Sequence, residues 1–479
     1  NYLQFRAMTE KFFLDTLTGS LQHEPTSGQL DAIAKLFIFL SSSNQQQIYI
    51  LKGYAGTGKT SLLSALIRVL PGFGINSLLL APTGRAAKVL AGYAGKPAFT
   101  IHKAIYRQNN KSDVEKGFSL NFNKYKNTVF VVDEASMISD SSYSGSFFGS
   151  GCLFSDLMEF VNNGSGCRLI LCGDDAQLPP VESENSPALQ PGYVESFGYE
   201  AITVQMNDVV RQAMNSGILS NATLVRSVIQ GVADALPRMK TSGFTDVETI
   251  DGSMLTETIE TCYNRYGIDN TRIITRTNKQ ANRYNQGIRA RILLYEEELV
   301  PGDRLMVVKN NYFWLPEDSP VDFIANGDMV KLLRLRRSSD LFGCRFADAV
   351  IQLSDVSDIE AEVKLLIDTL QTESASMPHE FYTRLFAAVE EDYAHIDSKP
   401  KRSVAVMNDP YMNALQIKHA YAVTCHKAQG GQWPVVFVDH GWLGNAPPDI
   451  SFFRWLYTAI TRATEKLYFV NFNKDFVEN

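Results

Sequence analysis

The octapeptide Gly53-Tyr54-Ala55-Gly56-Thr57-Gly58-Lys59-Thr60 constrains this chain more than any other segment. It follows the apolar run Ile48 to Leu51 and opens the helix-forming run Ser61 to Leu70. Such a loop works only between a strand and a helix. Its glycines let consecutive backbone N–H groups converge on phosphate oxygens, and the helix N-terminus behind them adds about half a positive charge. Lys59 can span the β- and γ-phosphates, and Thr60 is placed to hold Mg²⁺. Gly56, Thr57, Gly58, Lys59 and Thr60 are therefore the expected phosphate and metal contacts. A chain carrying this unit must contain a parallel α/β layer.

Further apolar runs repeat the same grammar of strand, turn and helix. Ser77 to Leu80, Thr128 to Val132 and Arg168 to Cys172 complete a first set with Ile48 to Leu51; Arg272 to Thr275, Ala420 to Thr424, Val435 to Val438 and Leu467 to Val470 form a second. Short apolar runs without polar alternation are what strands buried on both faces require. With 479 residues, too many for one core, the chain is read as α/β with two parallel-sheet domains. The first is assigned to residues 1–208 and the second to residues 209–301 and 410–479. Residues 302–409, with strand-like runs at Arg304 to Val308, Met329 to Leu335 and Asp348 to Leu353, read as a small β module interrupting the second domain.

Within that module Ile359, Val363, Leu366, Ile367 and Leu370 recur at helical spacing, as do Phe381, Leu385, Val389 and Tyr393 after Pro378. The spacing predicts an αα-hairpin over residues 355–397. Eleven acids stand against two bases between Asp355 and Asp397, a local balance of −9 within a total of −7, so the rest of the chain carries about +2. The total therefore does not argue against a polyanionic partner. The acidic hairpin is either a solvated surface or a docking face for a protein partner.

Two more strand ends carry chemistry. Val129 to Val132 delivers Asp133 and Glu134, the first suited to hold Mg²⁺ through water and the second to polarise an attacking water. That pair beside a phosphate loop implies hydrolysis. Arg168 to Cys172 leads into Gly173-Asp174-Asp175-Ala176-Gln177-Leu178-Pro179-Pro180, where Gln177 is an uncharged amide able to read a γ-phosphate, or else a plain structural turn.

From about Gln29 to Arg462 the order and spacing of these motifs resemble the superfamily 1 helicases of the RecD-like and Dda-like branch, which move 5′ to 3′ along single-stranded DNA. The resemblance implies two RecA-like domains, a β-hairpin insertion over residues 107–127 in the first and an SH3-like β module in the second. It also implies ATP and Mg²⁺ as cofactors, with single-stranded DNA and duplex junctions as partners. The family's adenine-reading glutamine falls on Gln29. Its two arginine fingers fall on Arg211, in Val209-Val210-Arg211-Gln212, and on Arg462, in Tyr457-Thr458-Ala459-Ile460-Thr461-Arg462-Ala463. Related helicases often carry an aromatic residue beside the first finger, where this chain has Val210. The implied catalytic set is Lys59, Asp133, Glu134, Gln177, Arg211 and Arg462.

Similarity to the DNA-contacting motifs singles out Thr83, Arg85, Lys88 and His102 in the first domain and Asn278, Thr424, His426 and Lys427 in the second. Phe118, Leu120 and Phe122 alternate at period two inside the 107–127 insertion. In similar helicases such an insertion is the pin that splits the duplex, and Phe118 is expected near its tip; the alternative is an apolar patch on the first domain. Asn326-Gly327-Asp328 resembles the signature turn of the SH3-like subdomain.

The first thirty residues lack a basic-then-apolar signal pattern, no run approaches the ~18 apolar residues of a membrane span, and the six cysteines form no C-x-x-C pair. A soluble, cytoplasmic monomer with reduced thiols is expected. The chain opens at Asn1 rather than Met, so a trimmed or processed chain is expected. Two other readings remain: a translocase that does not separate duplexes, and a nucleotide-switched binding protein.

Overall fold

The computed structural model describes residues 9–478 apart from 22, 109–117, 141–148, 182, 210–214, 234–235, 317–318, 320–322, 354–358 and 442–447. Arg211 thus lies outside the described residues, as does the start of the acidic segment.

Six parallel strands form the first sheet, in the order Ala98–Thr100, Asn76–Ala81, Thr128–Val132, Arg168–Gly173, Gln47–Gly53, Glu200–Met206. Alternation along the central strand divides the core in two. Tyr49 and Leu51 face the helices Ser27–Ser41 and Lys59–Val69 with Leu36, Phe39, Leu62 and Leu66, while Ile48 and Ile50 face the other layer with Phe130, Phe154 and Leu157. Each such fully buried side chain contributes about 1.5–3 kcal/mol. After Gln47–Gly53 the chain skips two places to Asn76–Ala81, and ligands bind at such reversals, beyond the carboxyl ends of the strands. Three neighbouring strands end there in the phosphate loop, in Asp133-Glu134 and in Gly173 to Gln177.

The second sheet is also parallel, in the order Val247–Ile250, Ala463–Val470, Trp433–Asp439, Thr271–Thr275, Ala422–Thr424. The edge strands Ala98–Thr100, Glu200–Met206 and Val247–Ile250 were absent from the sequence reading. They are short or carry polar residues on one face, so no continuous apolar run marks them.

A closed five-stranded barrel interrupts the second sheet: Arg304–Val307, Met329–Leu341, Cys344–Leu353, Ile359–Leu366 and Leu415–His419. Its last strand lies beyond residue 409, so the β module extends further than the sequence reading placed it. The predicted first helix of the αα-hairpin is instead the strand Ile359–Leu366, followed by a 3-10 turn at Ile367–Leu370. Its residues fit two periods at once. Ile359, Ala361, Val363 and Leu365 alternate with Glu360, Glu362 and Lys364, and this alternation prevails because it fills the barrel interior while the backbone pairs with Cys344–Leu353. The helix after Pro378 is present at His379–Asp392; its helical neighbour is Lys399–Met407. The two pack around Phe346, Leu366, Phe381, Leu385 and Val406.

The acids of that strand do not form a bare face. Glu362 pairs with Arg336 at 2.6 Å, Glu360 with Arg334 at 3.8 Å, and Asp368 with Arg345 at 2.7 Å. These are largely exposed pairs that add little stability, but they offset much of the local negative charge.

Candidate active site

The phosphate loop has the geometry its glycines permit. Gly56 and Gly58 lie at φ +76° and +80°, in the left-handed region. A Cβ on Gly53 would sit 2.8 Å from Thr57 Oγ1. Thr57 turns its hydroxyl inward to the Tyr54 carbonyl at 2.8 Å, so this residue holds the loop's shape with its side chain and offers the site its backbone. The ammonium of Lys59 is held by the carbonyls of Gly53 at 2.5 Å and Tyr54 at 2.9 Å. The helix that Lys59 opens has no side-chain cap, so its first N–H groups are left for an anion.

Gln29 lies fully buried in the first turn of Ser27–Ser41 and forms a reciprocal capping box with Thr26. The box uses its Oε1, and among the described residues Nε2 has no partner. A buried amide donor without an acceptor suits a ring nitrogen of a base.

Asp133 and Glu134 follow the strand as expected, and Glu134 sits at φ +54°, an unfavourable conformation for a non-glycine residue at the turn that aims it. Asp133 Oδ1 accepts from the Glu134 N–H at 2.9 Å. Burial raises both carboxyls above their ordinary range; the Glu134 N–H and Lys59 oppose this at Asp133, and Arg462 opposes it at Glu134. Gln177 is buried, and among the described residues its Oε1 has no hydrogen-bond partner.

The second sheet completes the pocket. Arg462 follows the helix Ile450–Ile460, and its guanidinium is positioned by the Thr458 carbonyl at 3.0 Å, the Gly431 carbonyl at 3.3 Å and Thr461 Oγ1 at 3.1 Å. From there Nη1 reaches to 4.0 Å of Glu134 Oε1. Lys59, Asp133, Glu134, Gln177 and Arg462 are thus gathered at one junction, and Thr60 follows Lys59 on the same helix. These groups fit a triphosphate with Mg²⁺: cations and N–H donors would face the phosphates, and one hydroxyl with one carboxylate would be left for the metal.

Several residues that grip the junction escaped the sequence reading. Tyr457 Oη donates to Asp174 Oδ2 at 2.6 Å and accepts from the Ala55 N–H at 2.8 Å. Thr458 Oγ1 accepts from the Leu178 N–H at 2.8 Å, and Gln429 Nε2 donates to the Leu178 carbonyl at 2.7 Å. Tyr54 lies in the core of the second domain, its ring under Arg226 at 4.4 Å and its hydroxyl accepting from Gln230 at 2.6 Å. In the sequence such aromatic and amide residues look like ordinary packing.

The nucleic-acid candidates fall at strand-to-helix corners. Thr83 accepts from the Ala86 N–H at 3.2 Å and so caps Gly84–Ala94, and Thr424 takes the same position before Cys425–Ala428. His102 and Asn278 lie in the first turns of their helices, behind the capping residues Thr100 and Thr277. Lys88 and His426 are exposed. Lys427 is half-buried and hydrogen-bonds Asn326 in the barrel turn, and desolvation brings its pKa down to about 8. Arg85 turns toward the second domain, 4.0 Å above the Trp433 ring and 3.2 Å from the Gln432 carbonyl. Side chains on Gly430 or Gly431 would collide with Thr83, Ala86 and Arg85, which explains two successive glycines there.

An AAA domain model matches residues 25–247, and the model of a UvrD-like helicase C-terminal domain matches residues 419–470. The chain is 23% identical over 461 residues to the ATP-dependent DNA helicase dda of Enterobacteria phage T4, covering 93% of this chain and 99% of that protein. It is 28% identical over 182 residues to the ATP-dependent RecD2 DNA helicase of Deinococcus radiodurans, covering 37% of this chain and 21% of that one. Among solved structures, the Pif1 helicase from Bacteroides in complex with ADP-AlF3 and ssDNA aligns with a TM-score of 0.44 at 14% identity, over 96% of this chain and 95% of that chain. Fold, pocket and family models define a P-loop ATP hydrolase. The two family models and the likeness to the Dda and RecD2 helicases support an ATP-hydrolysing DNA helicase of superfamily 1. Among the described residues no helix is long and apolar enough to cross a membrane.

Proposed function

We propose that the chain moves 5′ to 3′ along single-stranded DNA and separates duplexes, driven by Mg-ATP hydrolysis between two RecA-like halves. The observation that carries this reading is the approach of Arg462, from the second sheet, to within 4.0 Å of Glu134 on the first. A phosphate loop alone binds ATP but lacks positive charge beyond the γ-phosphate, and an inserted arginine is worth about 10³–10⁵ in rate. Gln29 reads the base, and residues Gly56 to Thr60 cradle the phosphates. Thr60 and Asp133 would hold Mg²⁺, which would supply positive charge to the transferring group. Glu134 orients and deprotonates water, Gln177 reads the γ-phosphate, and Arg462 and Arg211 stabilise the transition state.

ATP then favours closure of the cleft and hydrolysis releases it, a two-state cycle that becomes a step if each half grips the strand. Thr83, Lys88 and His102 grip in one half and Asn278, Thr424, His426 and Lys427 in the other, through backbone contacts that do not depend on sequence. Arg85, packed on Trp433, contributes by joining the halves. The antiparallel pair Tyr106–Gln108 and Phe118–Leu120 serves as the pin, and the barrel as the SH3-like module that backs it. The polarity rests on the family resemblance and on the relationship to the Dda and RecD2 helicases.

An unwinding assay on duplexes with a 5′ or a 3′ single-stranded tail, with and without ATP, tests the reading. ATP-dependent separation of the 5′-tailed duplex alone is expected. Separation of only the 3′-tailed duplex would overturn the polarity, and DNA-stimulated hydrolysis without separation would leave a translocase.

A further inference from the structure

The hydroxyl of Tyr457 requires an explanation that packing does not supply. The residue is 1% exposed in the shared core of the second sheet, where a phenylalanine would fill almost the same volume. A buried hydroxyl is costly unless it is hydrogen-bonded. Both of its bonds run to the first domain, one to Asp174 in the loop that carries Gln177 and one to Ala55 in the phosphate loop. Asp174 is itself 1% exposed, and its other oxygen accepts from the Ala176 N–H at 3.0 Å, which bends the chain toward Gln177.

The neighbouring residue acts on the same loop. Thr458, with Gln429, takes both backbone groups of Leu178, the residue after Gln177. Arg462 lies just beyond the end of the helix that carries Tyr457 and Thr458. One rigid element of the second domain therefore holds the phosphate loop, steadies the Gln177 loop from both sides and delivers the arginine.

We propose that Tyr457 is a positioning residue that senses closure: its hydroxyl locks Ala55 and Asp174 into register when Arg462 arrives, and releases both when the halves part. This rests on the proposed function of the same pocket. It assigns the tie between closure of the cleft and hydrolysis to one buried hydrogen-bonded chain, Ala55 N–H to Tyr457 Oη to Asp174 Oδ2. Because both bonds join the two halves, parting of the halves would break them, and their loss is expected to act on turnover more than on the initial capture of ATP.

The test uses the full chain and steady-state ATP hydrolysis with saturating single-stranded oligonucleotide. Tyr457→Phe is expected to lower kcat about tenfold or more, as for other bonds to charged groups, with KM for ATP changed less than about twofold and Tm within a few degrees of the parent. Combined with Asp174→Asn, it should be no slower than the slower single variant, within about twofold, because both substitutions remove one bond. Unchanged kcat, a parallel loss of kcat and Tm, a rise in KM matching the fall in kcat, or additive losses in the double variant would each overturn the proposal. Absence of DNA-stimulated hydrolysis in the parent chain would instead remove the reading of the pocket on which it rests.

Discussion

The ring of Phe118 rests on the ring of Tyr312, their centroids 4.7 Å apart and their planes inclined at 50°. Phe118 begins the second strand of the small antiparallel pair and pairs with Gln108, whereas residues 109–117 lie outside the described residues. The sequence reading put Phe118 near the tip. In the structure it is the first residue of that strand, half-buried against Tyr312, which packs in turn on Phe323 at 4.9 Å. Leu120 joins the same first-domain cluster, while Phe122 is 70% exposed. Phe118→Ala is expected to abolish strand separation while sparing hydrolysis stimulated by single strands, and Tyr312→Ala to weaken separation through the lost support. A forked-duplex unwinding assay run beside a phosphate-release assay checks both; intact unwinding in Phe118→Ala would remove the pin role.

Arg462→Ala should lower kcat by about 10³ while changing the nucleotide affinity by only a few-fold, since the guanidinium acts on charge that develops during transfer. Arg211→Ala is expected to behave in the same way. Parallel measurements of kcat and of nucleotide binding decide the matter, and equal losses in both would exclude the finger role.

In the proposed grip Lys427 offers a charge for DNA phosphate, and desolvation brings its pKa down to about 8, so the charge is lost as pH rises through that value. Lys427→Gln should weaken binding to all sequences alike and reduce the slope of log affinity against log salt by about 1. The parent chain should lose more affinity than the variant between pH 7 and pH 9. Fluorescence anisotropy titrations at several salt concentrations and pH values measure both effects.

His419 gives the chain a built-in acid sensitivity. Burial lowers its pKa to about 4, and its ring stacks on Tyr421 beside the fully buried Asp303. An unfolded histidine titrates near 6.5, so as pH falls from about 6.5 to about 4 the unfolded state takes up a proton that the folded state refuses. Stability from this group is complete above pH 6.5 and declines by about 3 kcal/mol across that window. Urea unfolding from pH 7 to pH 4 should therefore show a shallower decline in His419→Asn than in the parent, and equal slopes would exclude the effect.

The parts of the site legible in the sequence were those whose chemistry depends on a local pattern. Glycines before Lys59, two acids after Val132 and Gln177 after a strand each occupy one turn of chain, and a parallel sheet automatically brings strand ends together. Tyr457 and Thr458 were not legible as cross-domain ties, because an aromatic and a β-branched residue in an apolar helix look like core. The packing of Arg85 on Trp433 was not legible, because the two are far apart in sequence. The segment Ile359 to Leu370 satisfied helix and strand spacing equally well, and only the barrel wall resolved the ambiguity.

The barrel enters the second domain at Arg304 and leaves it at His419, and Leu305 and His419 are directly paired. The two ends of this long insertion are therefore neighbours, as the ends of tolerated domain insertions usually are. A plain parallel sheet could have received the whole module through one surface loop, at a single genetic event, without disturbing its strand order. The accessory that supports the hairpin is in this sense a graft, and a short linker joining the stock at those two points should let the parent domain fold without it.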